Sequence, residues 1–184
     1  KLLIHPSRTS FNSTIPSIYQ YLSIYLIISM PITTILFDVD DTLYDVGTGF
    51  TAHRNGYGAQ SFMVEQLKFE SLEQAKAVRD EYFEQYHSTA KALLVAQQEG
   101  KLPPGAPPFE AKQLAEWWAT TLDFSLLGGV NATLQKDLHD LQSRGLTIVA
   151  FSNGPRQYVK RTLMELGVWE LFGEDRLFAV DDVL

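Results

Sequence analysis

The chain has 184 residues, 45% of them hydrophobic, enough apolar material for the core of one ordinary domain. Its formal net charge of -7 argues against a nucleic-acid-binding surface, which needs clustered Lys and Arg, although a small anionic substrate stays open wherever positive groups are local. The absence of cysteine excludes disulfides, thiolate catalysis and cysteine-ligated zinc, and suits a reducing compartment, so a cytoplasmic location is expected.

The first segment, KLLIHPSRTSFNSTIPSIYQYLSIYLIIS, carries no acidic residue and mixes Ser and Thr with a short apolar run. Ser-rich, acid-poor composition is that of a targeting segment. However, Ile24 to Ile28 is too short to span a hydrocarbon layer of roughly 30 Å, and no small-residue cleavage site follows. No membrane partner is expected. Met30 reads as a natural start running into a strand, so residues 1–29 are expected to lie outside the folded domain.

Ile32 to Phe37 is continuously apolar and β-branched and closes on Asp38, the pattern of a strand buried on both faces. From Gly47 to about Leu127 no strand is evident. Leu72, Ala75, Val78, Tyr82, Tyr86, Ala90 and Leu93 step at three and four, as one long amphipathic helix would. LPPGAPP, Leu102 to Pro108, breaks it, and Phe109 to Thr121 resumes as a helix whose Trp117 and Trp118 are expected to pack inward. Leu134, Leu138 and Leu141 give another helix, stopped at Arg144-Gly145. Leu146 to Phe151 is a second strand, followed by Ser152-Asn153-Gly154-Pro155. Pro155 opens a helix with Val159, Leu163 and Leu166 on one face, ended by Gly167, and Arg176 to Val180 is a third strand. Strand, helix, strand, helix, strand predicts an α/β fold with a parallel sheet and crossover helices.

In such a sheet, ligands bind outside the carboxyl ends of the strands. Asp38 falls there after the first strand, and Ser152-Asn153 after the second. An extended backbone would point Asp38 and Asp40 the same way. Two carboxylates on one side need a cation or a shared proton, and Mg²⁺, held by one or two carboxylates plus substrate phosphate, is the candidate ion. Asp38 could then attack phosphorus while Asp40 gives and takes protons. Asp-rich turns also arise simply because Asp caps backbone N–H groups. The conjunction with Thr42, the strand position and the second polar cluster favours chemistry.

FDVDDTLYD resembles the first motif, hhhDxDxT, of the haloacid dehalogenase-like superfamily of phosphohydrolases, and IVAFSNG resembles its second, a strand ending in Ser or Thr. FSNGPRQYVKRTLMELGVWELF and the LYD after the first motif look most like the pyrimidine 5'-nucleotidase branch. The resemblance covers most of Pro31 to Leu184. It implies a Rossmann-like parallel core over residues 30–46 and 128–184, incomplete at its C-terminal side, with an all-helical cap, residues 47–127, inserted after the first strand. It also implies Mg²⁺-dependent hydrolysis of a small phosphorylated metabolite such as a nucleoside monophosphate. Asp38 would be the nucleophile and a metal ligand. Asp40 would be the acid/base, with its backbone carbonyl on the metal. Thr42, Ser152 and Asn153 would serve the substrate phosphate.

The superfamily's later motifs, a Lys and an acidic pair, are not identifiable. Lys160 and Arg161 come too early and are expected to face solvent, and Asp181-Asp182 follows the third strand before any Lys. The chain is therefore expected to be C-terminally truncated and impaired in turnover. The alternatives are a non-catalytic relative and a haloacid dehalogenase, although dehalogenases lack the second Asp. His53, His87 and His139 share no metal-like spacing, Arg54 and Asn55 could contact a substrate leaving group but are expected on a helix surface, and no GxxxxGK phosphate loop is present.

Overall fold

A computed structural model describes residues 31–182. The expected extension, residues 1–29, lies outside them. Three strands, β1 (Thr34–Asp38), β2 (Thr147–Ser152) and β3 (Leu177–Ala179), form a parallel sheet in the order β1-β2-β3. The register pairs Asp38 with Phe151 and Phe151 with Phe178. The fold is mixed α/β, as the alternation of elements predicts.

Between β1 and β2 the described chain is helical. A short helix α1 (Phe50–His53) runs into a π-helical turn, Arg54–Gly58, and then α2 (Ala59–Leu67), α3 (Leu72–Tyr86), α4 (Thr89–Gln98) and α5 (Ala111–Thr121) follow. Helix α6 (Ala132–Ser143) leads into β2, and α7 (Arg156–Glu165) and α8 (Trp169–Phe172) lie between β2 and β3. Asn131 caps α6 by accepting from the Leu134 N–H at 3.0 Å, and Gly145, at φ 82°, turns the chain into β2.

Two expectations fail here. The single long helix from Leu72 to Leu93 is broken at His87, which adopts a left-handed conformation (φ 49°), and Ser88 then caps a new helix. Both halves keep an apolar stripe, so periodicity alone runs across the break. Nor is β1 buried on both faces. Ile148, Ala150 and Leu177 join Leu138, Val159, Leu163 and Phe172 in the core, but on the opposite face Leu36, Phe151 and Phe178 are 63%, 46% and 47% exposed. The described helices cover only one side of the sheet, and a strand covered on one side buries only alternate residues.

Most of the helical stretch shares one core with the sheet, and a small separate cluster of Tyr82, Ala92 and Ala96 lies between α3 and α4. Phe50, Phe62, Met63, Leu114 and Trp118 belong to the same apolar cluster as the β2 residues, with Trp117 packed against it. The unit that begins at Thr33 is compact as a whole. Among the described residues, no helix is long and apolar enough to cross a membrane.

Candidate active site

After β1 the chain turns at once: the Thr42 and Leu43 N–H groups both donate to the Val39 carbonyl, and Asp41 takes φ 55°. The turn sorts the residues by polarity. Val39, Leu43 and Tyr44 are buried, while Asp38, Asp41 and Thr42 are exposed. The strand ends at Asp38, so the alternation of an extended backbone does not carry on to Asp40. The Asp38 carboxylate has no hydrogen-bond or ion-pair partner among the described residues.

Asp40 is in the opposite situation. Its Oδ1 accepts from the Tyr44 hydroxyl at 2.7 Å and from the Tyr158 hydroxyl at 2.6 Å, and its Oδ2 is paired with Arg54 Nη1 at 2.5 Å. The two side chains of the ion pair are 16% and 12% exposed. The Arg54 guanidinium lies 4.9 Å from the ring centre of Tyr158 and 5.4 Å from that of Trp118, within cation–π range of both. Side chains 4, 14 and 118 residues away in sequence thus meet on one carboxylate.

The network extends outward. Thr51 Oγ1 donates to Asp41 at 2.8 Å and touches the Tyr44 hydroxyl at 2.9 Å. Tyr44 and Thr51 have two hydroxyl protons for three contacts, so one contact lacks a proton at any instant. Burial, and then the Asp40 carboxylate, push the Tyr44 phenol up. Burial does the same more strongly to Tyr158, against the opposing pull of Arg54. Burial works against the charge of Arg54, but Tyr158 and Asp40 overcome it and hold the guanidinium protonated.

The other predicted residues divide. Ser152 is buried, and its Oγ accepts from the Gly154 N–H at 2.9 Å, so it shapes the turn after β2. Asn153 is exposed and lines a cavity of about 660 Å³ together with Asp40, Arg54 and Asn55. Asp38, Thr42 and Ser152 are not in that lining. The structure therefore brings Asp40 and Asn153 to one cavity, with Asp38 at the strand end two residues away in sequence.

Arg54, expected on a helix surface, is instead largely buried against Asp40, and the parts played by Tyr44 and Tyr158 have no signal in the sequence. The π turn, with one residue more than a regular helical turn, carries Arg54, and such turns often occur at functional sites. Gly58 closes that turn where a Cβ would lie 2.4 Å from Leu122 Cδ2. The RNGYG composition is the one trace in the sequence.

Of the acidic pair at the end of β3, Asp182 is occupied elsewhere: it binds Arg156 at 2.8 and 2.6 Å and accepts from the Ala179 N–H at 2.8 Å. Lys160 pairs with Glu174 and lies over Trp169, and Arg161 is exposed and pairs with Glu165. Among the described residues no group of three or more His, Cys, Asp or Glu is arranged to hold a metal ion. A Mg²⁺ ion, which keeps its waters and takes one or two protein oxygens plus phosphate, needs no such cluster, and the unpartnered Asp38 carboxylate fits that mode. No family model matches the chain, and no curated protein matches it.

Proposed function

We propose that the protein is a phosphomonoester hydrolase working through an aspartyl-phosphate, with Asp38 as nucleophile and Asp40 as acid/base. On this reading the sheet is part of a Rossmann-like core and residues 47–127 are a cap over its carboxyl end. The observation that carries it is the contrast between the two carboxylates. Asp38 at the end of β1 is unpartnered and accessible, while Asp40 is held by three donors in the wall of a cavity that Asn153, after the neighbouring strand, also lines.

In the first step an Asp38 oxygen bonds to phosphorus as the bond to the leaving oxygen breaks, and Asp40, which has to enter this step with a proton taken from solvent on Oδ2 after Arg54 leaves it, supplies the leaving oxygen with that proton. In the second, water attacks the same phosphorus, Asp40 takes its proton, and the bond to Asp38 breaks to release phosphate. Tyr44 and Tyr158 hold Asp40 Oδ1, so Oδ2 is the oxygen left to exchange protons once Arg54 withdraws from it. Asn153 would hold a phosphoryl oxygen. Mg²⁺, held by the Asp38 carboxylate and the Asp40 backbone carbonyl, would supply charge neutralisation to the phosphoryl group. A small phosphorylated metabolite such as a nucleoside monophosphate is the substrate proposed.

The test is release of phosphate from an aryl phosphate with and without Mg²⁺. Mg²⁺-dependent turnover that disappears in Asp38→Asn is the expected result; turnover surviving that substitution would remove Asp38 as nucleophile. The full engagement of Asp40 favours one other reading, a non-catalytic relative. It predicts no turnover and no rise in melting temperature with Mg²⁺, since only a ligand of the native state stabilises it.

A further inference from the structure

The far wall of the cavity is the start of α4, and the groups gathered there have no part in the chemistry above. Ser88, Thr89, Ala90 and Lys91 all line it. Helix α4 is ten residues long, and Ser88 Oγ caps only the Lys91 N–H, at 3.4 Å. In a helix the first N–H groups have no partner within the helix, so those of Thr89 and Ala90 are directed at the cavity with the positive end of the helix dipole. A second observation is independent of the backbone. Thr89 is 4% exposed, and its hydroxyl finds no hydrogen-bond partner among the described residues. It is not among the buried polar atoms shut off from solvent, so the small exposure of Thr89 includes the hydroxyl, and Thr89 is one of the residues that line the cavity.

The charges agree. The described lining has three basic side chains, Arg54, Lys91 and Lys112, against two acidic ones, Asp40 and Glu116, in a protein of net charge -7. Arg54 is bound to Asp40 and Lys112 pairs with Glu110, whereas Lys91 has no ion-pair partner among the described residues. His87, beside the cap, adds a ring that can donate.

We infer that the N-terminus of α4, with Thr89 and Lys91, is a second oxyanion subsite, separate from the carboxylates. The preferred substrates are then phosphomonoesters that carry another anionic group, a carboxylate or a second phosphate, on the leaving portion, which narrows the small phosphorylated metabolites proposed above and sets aside a simple nucleoside monophosphate, whose leaving portion is uncharged. The substrate statement rests on the hydrolase reading; the subsite does not. Backbone N–H groups at a helix start, a hydroxyl and an ammonium together form a recognised kind of oxyanion receptor. Glu116 opposes it, so Glu116→Gln should strengthen anion binding.

Two measurements separate the claims. Inorganic sulfate, added without Mg²⁺ to the isotope-labelled full chain, should produce saturable amide shifts at Ser88 to Lys91 that weaken in both Thr89→Val and Lys91→Gln. Unmoved amides would overturn the subsite whatever the turnover. With Mg²⁺, kcat/KM for 4-carboxyphenyl phosphate should exceed that for phenyl phosphate about tenfold, the size of one hydrogen bond to a charged group, and the ratio should fall toward one in both variants. A bisphosphorylated ester run beside them tells a carboxylate preference from a phosphate preference. A ratio of one in the unaltered protein overturns the substrate class. Amide shifts without hydrolysis of any ester uphold the subsite and overturn the hydrolase reading.

Discussion

Arg54 Nη1 meets Asp40 Oδ2 at 2.5 Å with both side chains largely out of water, across a sequence separation of 14 residues. Removing one partner of a buried pair leaves the other charge uncompensated, which costs more than the pair itself contributes. Arg54→Met should therefore destabilise by about 3 kcal/mol in urea unfolding. Arg54→Lys keeps the charge but not the flat guanidinium between Tyr158 and Trp118, and should lose about 1 kcal/mol. Equal losses in the two variants would mean that the rings, and not the charge, anchor the site.

Tyr158→Phe removes one of the two donors to Asp40 Oδ1 and leaves Tyr44 in place. A loss of about 1.5 kcal/mol is expected, the worth of a hydrogen bond to a charged group. Because the remaining phenol still serves the oxygen, the double variant with Tyr44→Phe should lose more than the two single losses added together. A double-mutant cycle by urea unfolding measures the excess, and simple additivity would count against a shared role.

The same two phenols give an alkaline limit. Their folded values lie above the ordinary value of 10.0, so the folded state holds these protons more tightly than the unfolded chain does. Their contribution is fully present below about pH 10 and is lost as pH rises above it, at up to about 1.4 kcal/mol per pH unit for each group. Unfolding free energies measured from pH 8 to pH 11 should be flat and then fall, more gently in Tyr158→Phe than in the unaltered protein.

Gly58→Ala should destabilise although Ala is the better helix former. The new Cβ would lie 2.4 Å from Leu122 Cδ2 and 3.3 Å from the His53 carbonyl, and Leu122 is itself buried. Overpacking of this kind costs about 1–3 kcal/mol, which outweighs the propensity gain of about 1 kcal/mol. Gly56→Ala, with nothing within 4 Å of the added carbon, is the control and should be neutral or stabilising in thermal melts.

The three strands, α6 and α7 could be read from the sequence because each combines an apolar period with an end signal, as Gly145 and Pro155 show. The break at His87 could not, since its left-handed residue is not a glycine and the apolar stripe continues past it. Within the site, the aspartates and Asn153 were legible as polar residues at strand ends. Arg54, Tyr44 and Tyr158 were not: their meeting on Asp40 depends on how three separate segments pack, and an arginine in a helix reads as a solvated charge until its burial is known. The openness of one sheet face was hidden for a related reason. An apolar run records that a strand can be covered on both sides, whereas Leu36, Phe151 and Phe178 depend on what the rest of the chain brings to them.

The π turn gives the site an unusual kind of fragility. Side chains at Arg54, Asn55, Gly56 and Tyr57 can be exchanged one at a time without altering how many residues the turn contains. Deleting a single residue there would restore a regular helix and rotate α1 and the Arg54 end of the turn by about 100° relative to α2. Tyr44 and Asp40, fixed by the turn after β1, would not rotate with them, and the guanidinium would swing away from its carboxylate. This segment has to keep its length as well as Arg54 and Gly58, and a shortened version should fold its helices correctly while losing the contact between them and the strand end.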